Sequence, residues 1–218
     1  MRYDTVIWDW NGTLLDDATL CRTVMNSLLA EAGLPRLSVH RYQAVFDFPV
    51  EVYYRRIGFA LDTHAFEHLG SQFMAGYERA RHTCRLRSGT RKALARLQQA
   101  GIAQAMLSAY PQLTLDAVLR ERGLHQHFTH VVGASDHYGR GKTKQAHVLR
   151  AQLPASRKIA LIGDTLHDAE VARSIGADCL LIRGGHQARG RLEASGCPVF
   201  SSLVAAAAWV TGETTNVR

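Results

Sequence analysis

Three short apolar runs constrain this chain more than any other feature. They are residues 5–9 (TVIWD), 103–108 (AQAMLS) and 159–164 (IALIGD), and each closes on a carboxylate or a hydroxyl. Short apolar runs separated by helical patterns indicate strands buried on both faces, hence a parallel sheet with helices on either side. Weaker strands are expected at 128–132 and 179–183, with an edge strand at 199–200. Helical periodicity fills the intervals. Residues 90–100 carry Ala93, Leu94 and Leu97 and stop at Gly101, while Pro111 opens a helix with Leu115, Val118 and Leu119 that ends near Gly123. Residues 144–153, 166–175 and 203–210 read as further helices, and the polar tail 211–218 is expected to fray.

Residues 17–84 behave differently. They hold no clear buried strand, but Leu20, Val24, Leu28 and Ala32 recur at helical spacing ahead of Gly33, and 50–57 and 64–81 continue the pattern. A block of this size is too long for a loop. The expected fold is therefore α/β: a Rossmann-like doubly wound core of residues 1–16 and 85–218, with an inserted all-helical cap domain at 17–84. Hinges are expected near 15–17 and 84–89.

The charge balance, 26 Lys and Arg against 19 Asp and Glu, gives a formal net charge of +7. Only Lys92, Lys142, Lys144 and Lys158 among those cations are lysines, and the arginines are spread along the chain. Their densest cluster (Arg79, Arg81, Arg85, Arg87 and Arg91) reads as a solvated basic surface, whose field suits a small anion better than nucleic acid. The four cysteines are scattered without a C-x-x-C pair, which argues against zinc and a disulfide framework. No apolar run approaches the roughly 20 residues of a membrane span, and the start lacks secretory features. A cytoplasmic protein without membrane or nucleic-acid partners is expected, and its oligomeric state stays open.

In an open parallel sheet, ligands bind beyond the carboxyl ends of the strands. Asp9, Ser108 and Asp164 stand at three such ends, and Lys142 closes the glycine-rich segment 139–142. With these residues in hand, the chain resembles the haloacid dehalogenase superfamily. Asp9-Trp10-Asn11-Gly12-Thr13-Leu14 is similar to its D-x-D-G-T-L nucleophile motif, Ser108 to its hydroxyl motif and Lys142 to its lysine motif. Residues 163–168 (GDTLHD) resemble its acidic GD-x-x-x-D motif, and residues 87–102 resemble the re-entry into the core of phosphoglycolate-phosphatase-like members.

The resemblance implies a magnesium-dependent hydrolase of a small phosphorylated metabolite, working through an aspartyl-phosphate. A phosphate ester is already anionic, so a carboxylate nucleophile approaches it against charge repulsion that Mg2+ offsets. Asp9 is then the nucleophile and a metal ligand. Asp164 is the principal further ligand, Asp168 ligates directly or through a neighbour, and the Asn11 carbonyl contributes. Lys142 supplies fixed positive charge, while Ser108 and Thr13 hold phosphoryl oxygens. Lys144 competes with Lys142, which is preferred because it directly precedes the helical pattern.

The family's phosphatases carry an acid two residues after the nucleophile. Asn11 stands there instead, and a carboxamide neither donates nor accepts a proton at ordinary pH. General acid–base assistance is typically worth ~10²–10⁴ in rate. Another proton source, a leaving group that needs none, deamidation of the Asn11-Gly12 pair, or a catalytically weak phospho-ligand-binding member would each account for the change. The phosphonate-cleaving branch is rejected because residues 17–84 contain no lysine, and Asp164 and Asp168 argue against the dehalogenase branch. His167 reads as an exposed helical residue, and the other histidines show no metal-ligand spacing. Phe46, Phe48, Tyr53 and Tyr54 read as core, with Arg55 or Arg56 as candidates to reach a substrate anion.

Overall fold

The computed structural model describes residues 1–154 and 158–213. The chain begins with β1 (Thr5–Trp8) and β2 (Leu15–Asp16), followed by four helices: α1 (Ala18–Glu31), α2 (Val39–Val45), α3 (Val50–Arg56) and α4 (Thr63–Ala80). It returns through β3 (Arg85–Leu86), then α5 (Thr90–Gln99), β4 (Ala103–Pro111), α6 (Gln112–Glu121) and β5 (His130–Ala134). The second half comprises α7 (Thr143–Gln152), β6 (Ile159–Gly163), α8 (Leu166–Ser174), β7 (Asp178–Ile182), α9 (Arg189–Glu193), β8 (Val199–Phe200) and α10 (Leu203–Thr211).

Six strands pair in parallel in the order β5-β4-β1-β6-β7-β8. From central β1 the chain steps outward through β4 and β5, then crosses to build the other half. Neighbouring connections therefore diverge around β1, which opens a crevice at the carboxyl edge. Alternate side chains of the apolar runs face opposite layers. Val6, Trp8, Met106 and Ile162 join the core under α5, α6 and α10. Ile7, Leu107, Leu161 and Leu181 join a second core with α7 and α8. Gln104, a polar residue within this core, is satisfied: it accepts from Trp8 Nε1 at 3.0 Å and donates to the Leu94 carbonyl at 3.0 Å.

The expected parallel sheet is present, with differences of detail. The turn at His125–His127 delays β5 to His130, so Phe128 is a core plug and not a strand residue. Ser108 lies inside the longer β4, at a register irregularity between Leu107 and Pro111. Helices α2 and α9 had no periodicity long enough to find them, being 7 and 5 residues. The expected face of α1 is rotated: Cys21, Met25, Leu28 and Leu29 are buried, whereas Ala32 is exposed. Gly76 of α4 lets α1 pack closely, because a Cβ there would stand 2.9 Å from Val24. Of the tail, 214–218 lie outside the described residues. No helix among the described residues is long and apolar enough to cross a membrane.

Helices α1–α4 leave and rejoin the sheet through β2 and β3, which pair antiparallel with Leu15 opposite Leu86 and Asp16 opposite Arg85. Arg87 reinforces this neck, donating to the Gly12 carbonyl and to the Arg183 carbonyl at 2.7 Å. This arginine of the basic cluster is thus a structural clamp and not a solvated charge.

Candidate active site

Asp9, directly after β1, is aligned by its backbone N–H, which donates to the Ile162 carbonyl at 2.9 Å. Asp164 follows β6, and Asp168 sits in the first turn of α8. Carboxylate oxygens of Asp9, Asp164 and Asp168 all lie within 4.8 Å of one another, although the first and last are far apart in the chain. All three residues are buried.

Each is oriented separately. Asp164 accepts from Thr13 Oγ1 at 3.0 Å and from the His186 backbone N–H at 2.6 Å. Asp168 accepts from the Thr165 N–H at 3.0 Å and hydroxyl at 2.8 Å, closing a capping box at the start of α8. Its other oxygen faces Lys142 Nζ at 2.7 Å. Lys142, just ahead of α7, also contacts Asp9 Oδ1 and donates to the Leu107 carbonyl at 3.3 Å. Lys144 is exposed, which separates the two lysines.

Glycine makes the approach of the loops possible. A Cβ on Gly12, whose φ is +73°, would stand 2.4 Å from Asp164 Oδ2, and one on Gly185 would stand 2.1 Å from the same oxygen.

Three carboxylates and one ammonium leave this pocket short of positive charge. Burial pushes the Asp9 carboxyl up to about 7; Lys142 pulls it down, and Asp168 and Asp164 raise it again. Asp164 is also held above the usual carboxylate range, first by burial, with Asp168 adding to the rise and His186 opposing it. Burial alone would neutralise Lys142, but Asp168 and Asp9 outweigh it and keep the ammonium. A hard divalent cation fits such an all-oxygen donor set.

The remaining expected residues fall as follows. Ser108 lines the cavity above Asp9, and its Oγ accepts from the Tyr110 N–H at 3.1 Å. Thr13 is fully buried, is not among the residues lining that cavity, and its hydroxyl donates to Asp164 Oδ1 at 3.0 Å. Asn11 lines the cavity, but its amide donates to Asp17 Oδ2 at 2.7 Å and to Tyr77 Oη at 2.9 Å. The Gly12 N–H, which would attack Asn11 in deamidation, is itself held by Asp17 Oδ1 at 2.7 Å.

Several sequence readings need correction. His167 is buried, not exposed; its Nε2 accepts from the Lys142 N–H at 3.1 Å, and its ring lies 5.0 Å from that of Phe48. His186 comes from the Gly-Gly-His loop after β7. Its Nε2 stands 3.4 Å from Asp17 Oδ1, while Nδ1 and the Tyr42 hydroxyl are 2.7 Å apart. Asp17, Cys21 and His186 thus form a second group with ligand atoms within 4.8 Å, which the spacing of the histidines did not reveal. Burial favours a neutral His186 ring, but Asp17 and then Asp164 raise its pKa to about 9. Burial also opposes ionisation of Asp17, yet His186, Asn11 and Tyr77 hold it below the usual range. The strand-end rule, applied to β7, was the one signal pointing to His186. Phe46, Phe48, Tyr53 and Tyr54 line the cavity as well as filling core. Arg55 pairs with Glu51, and Arg56 with Asp47 and the Val45 carbonyl; neither lines the cavity.

Carboxylates gathered at the switch point of a doubly wound sheet, with a helical insertion after the first strand, define a Rossmann-like α/β protein with an acidic site. The haloacid dehalogenase-like hydrolase family model matches residues 3–176, and the chain belongs to that family. It is 26% identical over 195 residues to the phosphoglycolate phosphatase of Pseudomonas savastanoi pv. phaseolicola, covering 83% of this chain and 70% of that one. It is 27% identical over 184 residues to the tyrosine-protein kinase PtkA of Mycobacterium tuberculosis, covering 83% of this chain. The match spans only 62% of that longer relative. Among solved structures, the haloacid dehalogenase-like family protein SP0104 of Streptococcus pneumoniae superposes with a TM-score of 0.80 at 18% identity, covering 95% of this chain and 98% of its own. That likeness is one of fold.

Proposed function

We propose that this hydrolase is a magnesium-dependent phosphomonoesterase of the phosphoglycolate-phosphatase-like branch, acting on a small phosphorylated metabolite in the cytoplasm. The observation that carries the reading is the convergence of Asp9, Asp164 and Asp168 within 4.8 Å, with Lys142 against two of them. The name of the Pseudomonas relative and the four unpaired cysteines support it.

Asp9, Asp164 and Asp168 would hold Mg2+, with the Asn11 carbonyl as a further ligand by family resemblance. When bound, the ion supplies positive charge that offsets the phosphoryl oxygens and the clustered carboxylates. Asp9 attacks phosphorus, the ester oxygen leaves, and water then cleaves the aspartyl-phosphate. Lys142 fixes the Asp9 carboxylate through Oδ1 and adds charge at the developing phosphoryl oxygens. Ser108 offers its hydroxyl from the cavity wall, and Thr13 keeps Asp164 in place. Helices α1–α4, residues 17–84, act as a cap that swings on the β2/β3 neck and excludes water on closing.

Inorganic phosphate release across a panel of phosphomonoesters tests this. Release is expected in millimolar Mg2+, to be lost on adding a chelator and restored by excess Mg2+. Release unaffected by chelation would remove the metal from the proposal. Binding of phosphate analogues without any turnover would replace the enzyme with a ligand-binding member.

A further inference from the structure

The cavity above Asp9 is walled by rings. Phe48, Tyr53, Tyr54, Phe73 and Tyr77 come from the helical insertion, and Tyr110 and Tyr138 come from the core. Tyr53 packs edge-on to Tyr42 at 6.0 Å and lies 5.6 Å from Tyr54; Tyr77 meets Tyr110 at 5.9 Å. Three of the phenol groups are already engaged: Tyr77 with Asp17 at 2.8 Å, Tyr110 with Glu78, Tyr42 with His186. Tyr53 keeps a buried hydroxyl that has no partner.

Charge is as informative as shape. Among the residues lining this cavity, Lys142 is the one lysine or arginine, and Asp9 and Asp168 hold it. His186 lies against Asp17, and His167 is committed to the Lys142 backbone. His137 stands with Nε2 3.2 Å from the Ser71 hydroxyl, and no lysine or arginine of the wall is free to balance a carboxylate on a substrate's leaving group. An aromatic wall whose neutral polar groups are hydroxyls instead suits an uncharged ring, which stacks on or meets other rings edge-on.

The chemistry at Asn11 points the same way. An alkyl leaving group departs as an alkoxide whose conjugate acid is about as weak as water, far weaker than a phenol, so it needs a proton from the protein. A phenolate has a conjugate acid near pKa ~10 and departs without one. Asn11 has no proton to give, and its amide is locked to Asp17 and Tyr77.

Resting on the phosphatase reading above, we propose that the preferred substrates are aryl phosphate monoesters carrying no carboxylate on the ring. The ring occupies the aromatic cavity, with Tyr53 Oη donating to a polar ring substituent. An Asp9 oxygen forms a bond to phosphorus as the P–O(aryl) bond breaks. The electron pair leaves with the phenolate, which takes its proton from solvent. Water then adds to phosphorus and the Asp9–phosphorus bond breaks, so that one aryl phosphate and one water become one phenol and one inorganic phosphate.

Steady-state kinetics with phenyl phosphate, ethyl phosphate and 2-phosphoglycolate, in the presence of Mg2+, test the proposal. Phenyl phosphate is expected to exceed both others in kcat/KM by at least about 100-fold, the scale of missing acid assistance. Asn11→Asp should raise the two alkyl substrates relative to phenyl phosphate at least about tenfold, so the ratio collapses. Phenylphosphonate, which is not hydrolysed, should compete at least about tenfold better than methylphosphonate or phosphonoacetate. Phe73→Ala should erase that preference. Equal or better turnover of 2-phosphoglycolate, or equal inhibition by the three phosphonates, would overturn the substrate class and leave the phosphatase standing. No turnover of any ester would instead sink the phosphatase reading itself.

Discussion

Asp9→Asn is expected to lower kcat/KM by about 10³ or more, while leaving the folded state intact. The size follows from removing a nucleophile, since catalytic groups acting as a unit cost orders of magnitude when one is lost. The intact fold follows from local charge. Asp9 is crowded by Asp168 and Asp164 in a buried pocket that already pushes its carboxyl up to about 7. A neutral amide of the same shape relieves that crowding, and Lys142 keeps Asp168 at 2.7 Å. The melting temperature should therefore hold or rise as turnover vanishes. A variant retaining more than a tenth of wild-type activity would show that Asp9 is not the attacking group.

Lys142→Met should show the opposite pairing, with stability and rate falling together. Lys142 is 3% exposed and contacts two buried carboxylates. Removing one partner of a buried pair leaves an uncompensated charge and costs about 3–5 kcal/mol. Losing an electrostatic donor at the reacting group costs about 10²–10³ in kcat. Calorimetry and kcat measured on the folded fraction separate the two effects. Lys142→Arg should recover much of the melting temperature but little of the rate. A planar guanidinium does not reproduce a compact ammonium shared by Asp9, Asp168 and the Leu107 carbonyl. A fully stable, fully active Lys142→Met would remove this residue from the machinery.

Much of the core was legible because its signals are local. The runs at 5–9, 103–108 and 159–164 are apolar without alternation, and only a strand covered on both faces satisfies that pattern. Helix α5 ends near Gly101, and α6 opens after Pro111, because backbone preferences act at single residues. The α1 face was less legible. Two neighbouring stripes both satisfy helical spacing, and only the packing of α1 in the fold buries the one carrying Cys21 and Met25. Thr13 illustrates a further limit: its motif matched, but only the fold shows that its hydroxyl is consumed by Asp164.

What the chain determined by itself was the set of strand-end side chains. Buried strands alternating with helices imply a parallel sheet, and the residue after each strand lands on its carboxyl edge. Asp9 and Asp164 were therefore legible as residues of one edge, and the family resemblance paired them. Tertiary structure alone decided what surrounds them. His186 reaches Asp17, Tyr77 reaches Asn11, and the aromatic wall closes over Asp9, each through a pair of segments with no fixed separation in the chain. Such contacts depend on loop path and on how the helical insertion docks. Those are set by packing summed over many residues, and no local spacing records them.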